Sequence, residues 1–178
     1  MNRQVLRIGL AAAGAAAVAA TTVIAAQGDQ GRDHDTRRVS AFLDGYSETP
    51  LALSTPGEGF FRASVDQARQ EIRYRLSFGG VPTAVTQAHI HFGSPSQSGG
   101  VSVFLCTNLG NGPVGTQACP AAGTITGTIV PADVIGPAGQ GIAAGEFREL
   151  VDAIEAGAAY VNVHSTQFAG GEIRGQLR

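Results

Sequence analysis

The sequence has no lysine and no tryptophan, and its 12 basic residues, all arginine, are outnumbered by 14 aspartates and glutamates. A formal charge of −2 over 178 residues leaves no basic field for nucleic acid. Aromatic residues make up only 6% of the chain while glycine supplies 25 positions, a composition that argues against a helical bundle and for a turn-rich β protein. No internal repeat and no phosphate-cradling glycine loop occurs. There is no GxSxG elbow, and Ser165 following His164 does not make a triad, so a hydrolase is unsupported. The length allows one domain with a short appendage and excludes a multidomain machine.

What is present begins with an export segment. Arg3 and Arg7 form a positive start, the run from Leu10 to Ala20 is almost wholly alanine, and small residues at Ala25 and Ala26 precede a charged stretch. This is the pattern of a signal peptide over residues 1–26, cleaved near Ala26. The uncharged run from Ile8 to Ala26 is long enough to span a bilayer if retained, but alanine is only weakly apolar. With 1–26 removed, ten arginines face 14 acids, giving −4 and a chain expected to have no membrane span. Residues 27–38, QGDQGRDHDTRR, carry no aliphatic or aromatic side chain and read as a disordered linker, in which His34 is a solvated histidine between Asp33 and Asp35. A single folded domain is expected over 39–178, large enough for a real core.

Cys106 and Cys119 are the only cysteines. In an exported protein an even count favours a disulfide, and the spacing is far longer than a redox CxxC. The loop between them is rich in glycine and turn formers.

Residues Glu71–Phe78 alternate cleanly, with Ile72, Tyr74, Leu76 and Phe78 on one face and Glu71, Arg73, Arg75 and Ser77 on the other, as in a half-buried antiparallel strand. Gly59–Val65 alternates likewise and forms a hairpin with it. Further strands are expected at Val39–Leu43, Thr86–Phe92, Val101–Cys106, Gly123–Val130, Tyr160–His164 and Glu172–Leu177. Between Glu146 and Ala156 the period changes: Phe147, Leu150, Val151 and Ile154 have helical spacing, and Gly157 sits where a left-handed cap belongs. The carboxylates Glu146, Glu149, Asp152 and Glu155 fall on that helix's exposed face and serve solubility. About eight strands with one short helix make an all-β fold, a Greek-key β-sandwich or flattened barrel.

The remaining three histidines lie in strands. In Gln87-Ala88-His89-Ile90-His91-Phe92 the two-residue period sends Ala88, Ile90 and Phe92 inward and His89 and His91 outward together. In Tyr160-Val161-Asn162-Val163-His164 it buries Val161 and Val163 and presents Tyr160, Asn162 and His164 on the outer face. If these strands are close in the sheet, three imidazoles converge, a donor set suited to copper or zinc. Glu172 is the nearest candidate for a fourth ligand by strand register. The C-terminal alternation puts Ile173 and Leu177 inward and Glu172, Arg174 and Gln176 outward. There Arg174 is either a surface ion-pair partner of Glu172 or, beside a metal, an attractor of anions.

The segments AHIHFG at Ala88–Gly93, YVNVHS at Tyr160–Ser165 and GGEIRGQL at Gly170–Leu177 together resemble the CHRD domain, the module repeated in chordin and found singly in exported bacterial proteins. The resemblance runs from Val39 to Arg178 and implies an immunoglobulin-like β-barrel similar to copper/zinc superoxide dismutase. His89-Ile90-His91 looks like that enzyme's HVH copper strand and His164 like its late copper ligand. Arg174 resembles its anion-steering arginine in lying near the chain's end. No histidine between His91 and His164 stands for the bridging imidazolate, and no His/Asp group builds a zinc site.

Two functions from different classes follow. One is an exported copper protein, periplasmic or secreted, in which His89, His91 and His164 hold the ion, zinc being the alternative metal, with redox chemistry or copper handling as its role. A copper-dependent oxidoreductase of dismutase type belongs to this reading. The other is a metal-free extracellular module whose outer sheet face recognises a protein partner or a second copy.

Overall fold

Strict alternation in three consecutive strands builds one wall of a barrel. In the computed structural model, which describes residues 36–178, β1 (Thr36–Asp44), β2 (Glu58–Asp66) and β3 (Glu71–Gly79) pair antiparallel along their whole lengths. Val39, Ala41 and Leu43, then Phe61, Ala63 and Val65, then Ile72, Tyr74, Leu76 and Phe78 all point into one core. The expected export segment 1–26 and residues 27–35 of the expected linker, His34 among them, lie outside the described residues. Thr36, Arg37 and Arg38 do not belong to a linker. They pair with Asp66, Val65 and Ser64, because backbone hydrogen bonds carry the ladder past the last buried side chain.

The other strands are β4 (Val85–Phe92), β5 (Gly100–Thr107), β6 (Gly123–Ile129), β7 (Ala159–Ser165) and β8 (Ile173–Gln176). The eight form one antiparallel sheet in the order β5-β4-β7-β8-β1-β2-β3-β6, nearly closed on itself. The chain leaves β3 to start β4 on the far wall, and β6 returns to lie beside β3, so the connections are of Greek-key type. Helix α1 (Phe147–Glu155) arises as its periodicity requires, burying Phe147, Leu150, Val151 and Ile154, with Gly157 following at φ 68°. Two short 3-10 turns, Pro131–Asp133 and Ala138–Gln140, precede it in the crossing from β6 to β7; neither is long enough to leave a periodic signal. Among the described residues no helix is long and apolar enough to cross a membrane.

Closure leaves a seam, since β5 and β6 are the two ends of the sheet. A side chain bridges it. Gln117 Nε2 donates to the carbonyl of Leu105 in β5 at 3.2 Å, to that of Thr126 in β6 at 3.2 Å and to the Tyr74 hydroxyl at 2.9 Å. Gly127 lies opposite Tyr74, and a Cβ there would come within 2.7 Å of the hydroxyl, so glycine makes room for the bridge. The loop bearing Gln117 is tied down by the Cys106–Cys119 disulfide and by Asn108, whose amide donates to Val85 O at 2.9 Å and Cys119 O at 3.0 Å. Replacing both cysteines with serine is expected to lower stability by about 3 kcal/mol by releasing this loop in the unfolded chain. Urea unfolding at neutral pH measures it, and an unchanged midpoint would contradict the assignment.

Candidate metal centre

Register brings the three strand histidines together. β4 and β7 are neighbours, with Gln87 opposite His164, His89 opposite Asn162 and His91 opposite Tyr160. On its other side β4 meets β5 through two bulges, between Ala88 and His89 and between Ile90 and His91, where β5 carries the extra residues Leu105 and Ser102. Bulges re-aim side chains and deepen local twist. The rings of His89 and His164 lie 4.9 Å apart between centroids, those of His89 and His91 5.3 Å, and those of His91 and His164 5.9 Å. One nitrogen from each falls in a group whose atoms all lie within 4.8 Å of one another.

Hydrogen bonds assign the tautomers. His91 Nδ1 donates to the Gly99 carbonyl at 2.9 Å and His164 Nδ1 to the Ala169 carbonyl at 3.0 Å. Each is left with an unprotonated Nε2, as a carbonyl partner leaves a metal-ligating histidine. His89 Nδ1 lies 3.0 Å from His164 Nε2 and donates to it, so its own Nε2 is also unprotonated. The Nε2 atoms of His89 and His91 have no partner in the protein although both are buried. Two donors at about 2.1 Å from a tetrahedral ion are about 3.4 Å apart, so the widest pair needs to close by up to about 1.4 Å, within reach of small ring movements. The three residues therefore fit a metal ion.

The histidines face away from the barrel core, as their strand positions require, but they do not face solvent. His89, His91 and His164 are 2, 7 and 5% exposed. The expectation of an open outer face is corrected here, and the reason is a roof of irregular loops. Arg174, expected on the same open face, lies under that roof and is 2% exposed. Its guanidinium sits 3.5 Å from the Tyr160 ring centroid and donates to Thr49 Oγ1, to Ser94 O at 2.9 Å and to Gln97 O at 3.0 Å. It thus ties the β1–β2 loop to the β4–β5 loop, and three of the five N–H donors that the resemblance assigns to anion steering bond protein acceptors. A surface ion pair with Glu172 does not form: Glu172 is fully buried and accepts from Thr55 Oγ1 at 2.6 Å. Among the described residues the close-set metal-capable group contains the three histidines and not Glu172.

Two glycines let the roof close. A Cβ on Gly99 would overlap the Phe92 carbonyl oxygen, and a Cβ on Gly171, at φ 131°, would overlap Asn162 Nδ2. The Gly171 backbone thereby admits Glu48, whose carboxylate accepts from Asn162 at 3.4 Å. Glu48, Thr49, Thr55 and Gly99 carry no signal of this role in the sequence, since each lies in a segment without periodicity. Tyr160 and Asn162 were legible as outer-face neighbours of His164; Tyr160 stacks on His91 at 4.8 Å with 4° between planes.

Burial dominates the electrostatics. It lowers the His89 pKa to about 2, helped by the neighbouring His164 and His91. It lowers His164 to about 4 against the favourable Ala169 carbonyl, and it lowers His91 against the carbonyl of Gly99. Burial likewise raises Glu48 above its ordinary value. All three imidazoles are therefore neutral at pH 7, each with one unprotonated ring nitrogen. Residues 39–177 match the model of the family described as CHRD domain. No curated protein and no solved structure matches the chain.

Two outcomes follow for the metal-free protein. The unfolded chain takes up histidine protons near pH 6.5, whereas the folded one refuses them until about pH 4 at His164 and about pH 2 at His89. Stability is therefore full above pH 6.5 and falls as pH drops toward 4. Urea midpoints at pH 7.5 and 5 that coincide would overturn this. Arg174→Leu removes the three hydrogen bonds that tie the two loops, one each to Thr49, Ser94 and Gln97, and is expected to cost roughly 3 kcal/mol. It should also speed diethylpyrocarbonate modification of the histidines, an effect that mere loss of packing elsewhere in the barrel would not reproduce.

Proposed function

This chain belongs to the CHRD domain family, and on the geometry of its histidine cluster we propose that it is an exported copper-binding protein. His89, His91 and His164 would each hold the ion through one ring nitrogen, which for His91 and His164 is Nε2. The observation that carries the reading is the pair of buried, partnerless Nε2 atoms beside a third imidazole. An unpartnered buried polar atom costs roughly 1–3 kcal/mol, and a cation shared among the lone pairs relieves that cost. An all-imidazole set suits copper, which also heads the affinity order of the divalent metals, and zinc is the competing occupant.

Burial bears on the role. A centre whose ligands are at most 7% exposed holds an ion away from solvent, which supports copper storage or delivery over rapid turnover of a dissolved substrate. In this reading Arg174 contributes positive charge next to His91, whose proton it disfavours, and would favour an anion entering the pocket once the roof opens. The export segment at the N-terminus supports a periplasmic or secreted location. A metal-free extracellular module is the second reading, and it is favoured by the His89–His164 hydrogen bond, which satisfies one lone pair with no ion present.

Titration with Cu(II), followed by d–d absorption and electron resonance, separates the two. Saturable one-to-one binding that is lost in His91→Ala is expected. Binding no stronger than that of a histidine-poor control protein would leave only the second reading.

A further inference from the structure

The wall opposite the histidines presents a different chemistry. On the outer face of β1, β2, β3 and β6 the register places side chains in rows across the strands. Arg38 and Arg73 share one row, Arg62 and Arg75 the next, and Phe42 and Phe60 the third. Serines and threonines fill the remaining positions of these rows. Arg62 and Arg75 are directly opposite one another, an arrangement in which like charges repel. Arg73 pairs with Glu71 at 2.9 Å, and Arg75 reaches only the Thr124 hydroxyl at 3.3 Å. Neither Arg38 nor Arg62 meets a carboxylate among the described residues. Phe42 and Phe60 are also direct partners, 57 and 49% exposed. A depression of about 630 Å³ runs along the arginines and touches Phe60.

Four arginines concentrated on one face of a net acidic chain, two of them set against each other, favour an anionic partner by charge complementarity. The guanidinium fork matches a planar carboxylate in particular. The positive band is only two rows deep, about 7 Å between rows, with Asp44 and Glu58 beyond the phenylalanines and Asp66 and Glu71 at the opposite end. That geometry rejects a double helix carrying a charge about every 1.7 Å and suits a thin polymer with sparse charges. An exposed aromatic pair beside such a band offers apolar ring faces to the polarised C–H bonds of a sugar. We propose that this face binds an acidic polysaccharide of the uronate type, with carboxylates on Arg62 and Arg75 and a sugar ring against Phe42 and Phe60. The proposal is independent of the histidine cluster, which lies on the outer face of the other strands.

The test is calorimetric titration of the full-length protein with a polygalacturonate oligosaccharide at low salt. Saturable binding is expected, weakening as salt rises and absent for the fully methyl-esterified oligosaccharide. Arg62→Ser with Arg75→Ser, and separately Phe42→Ser with Phe60→Ser, should each weaken it at least tenfold. Melting temperatures of both variants should stay near that of the parent, since all four side chains are exposed. The proposal is overturned if the parent shows no saturable binding, or if well-folded variants bind as it does. Tighter binding of oligothymidylate or of polyglutamate than of the uronate would also overturn it, assigning the face to nucleic acid or to an acidic protein.

Discussion

A buried guanidinium decides what kind of surface the histidines inhabit. Arg174 leaves β8 on the outer side of the barrel, where a charged residue would ordinarily meet water, and instead holds Thr49 from one loop and the Ser94 and Gln97 carbonyls from another. Those acceptors anchor the loops over the sheet, and Ser98 adds a donation to the Thr49 carbonyl at 2.9 Å. The outer face of β4, β7 and β8 becomes a second interior, polar where the barrel core is apolar. Desolvation then follows for every group beneath: imidazoles lose their protons, Glu48 is pushed up, and lone pairs that water would have satisfied stay empty.

The bulges that β5 makes against β4 bear on how two histidines separated by one residue both join the cluster. In a regular strand His89 and His91 would stand parallel and about 7 Å apart. Here β5 inserts Leu105 beside one and Ser102 beside the other, and their rings end 5.3 Å apart at 77°. Phe104 meets His89 edge-on at 4.3 Å, and Tyr160 backs His91, so each ring is fixed by an aromatic neighbour as well as by register.

Most of the barrel was legible in the sequence. The alternation in Glu71–Phe78 and the helical spacing of Phe147, Leu150 and Ile154 gave their elements nearly to the residue, because each buries a single stripe against one core. The grouping of His89, His91 and His164 was legible as a shared face, although only sheet order places β4 beside β7. The roof was not legible. It is built from loops that obey no period and is secured by contacts between residues 77 to 125 positions apart. One signal did exist: β7, AYVNVHS, has no charged residue on either face, as a strand covered on both sides requires.

Covering that face has an energetic consequence that bears on any ion held there. The buried orphans His89 Nε2, His91 Nε2, Asn162 Oδ1 and Glu172 Oε2 are penalties that the folded protein carries and the unfolded chain does not. They persist because the roof's own hydrogen bonds, several of them to a charged donor, outweigh them. A cation entering among the imidazoles therefore gains twice, from its own ligation and from relief of the cost already present. On the proposed reading the same roof would also slow exchange of an ion, because it covers the imidazoles. Tight holding and slow release would then share one structural origin. The opposite wall needs no such device, because its arginines stay in water and keep their charge available on the surface.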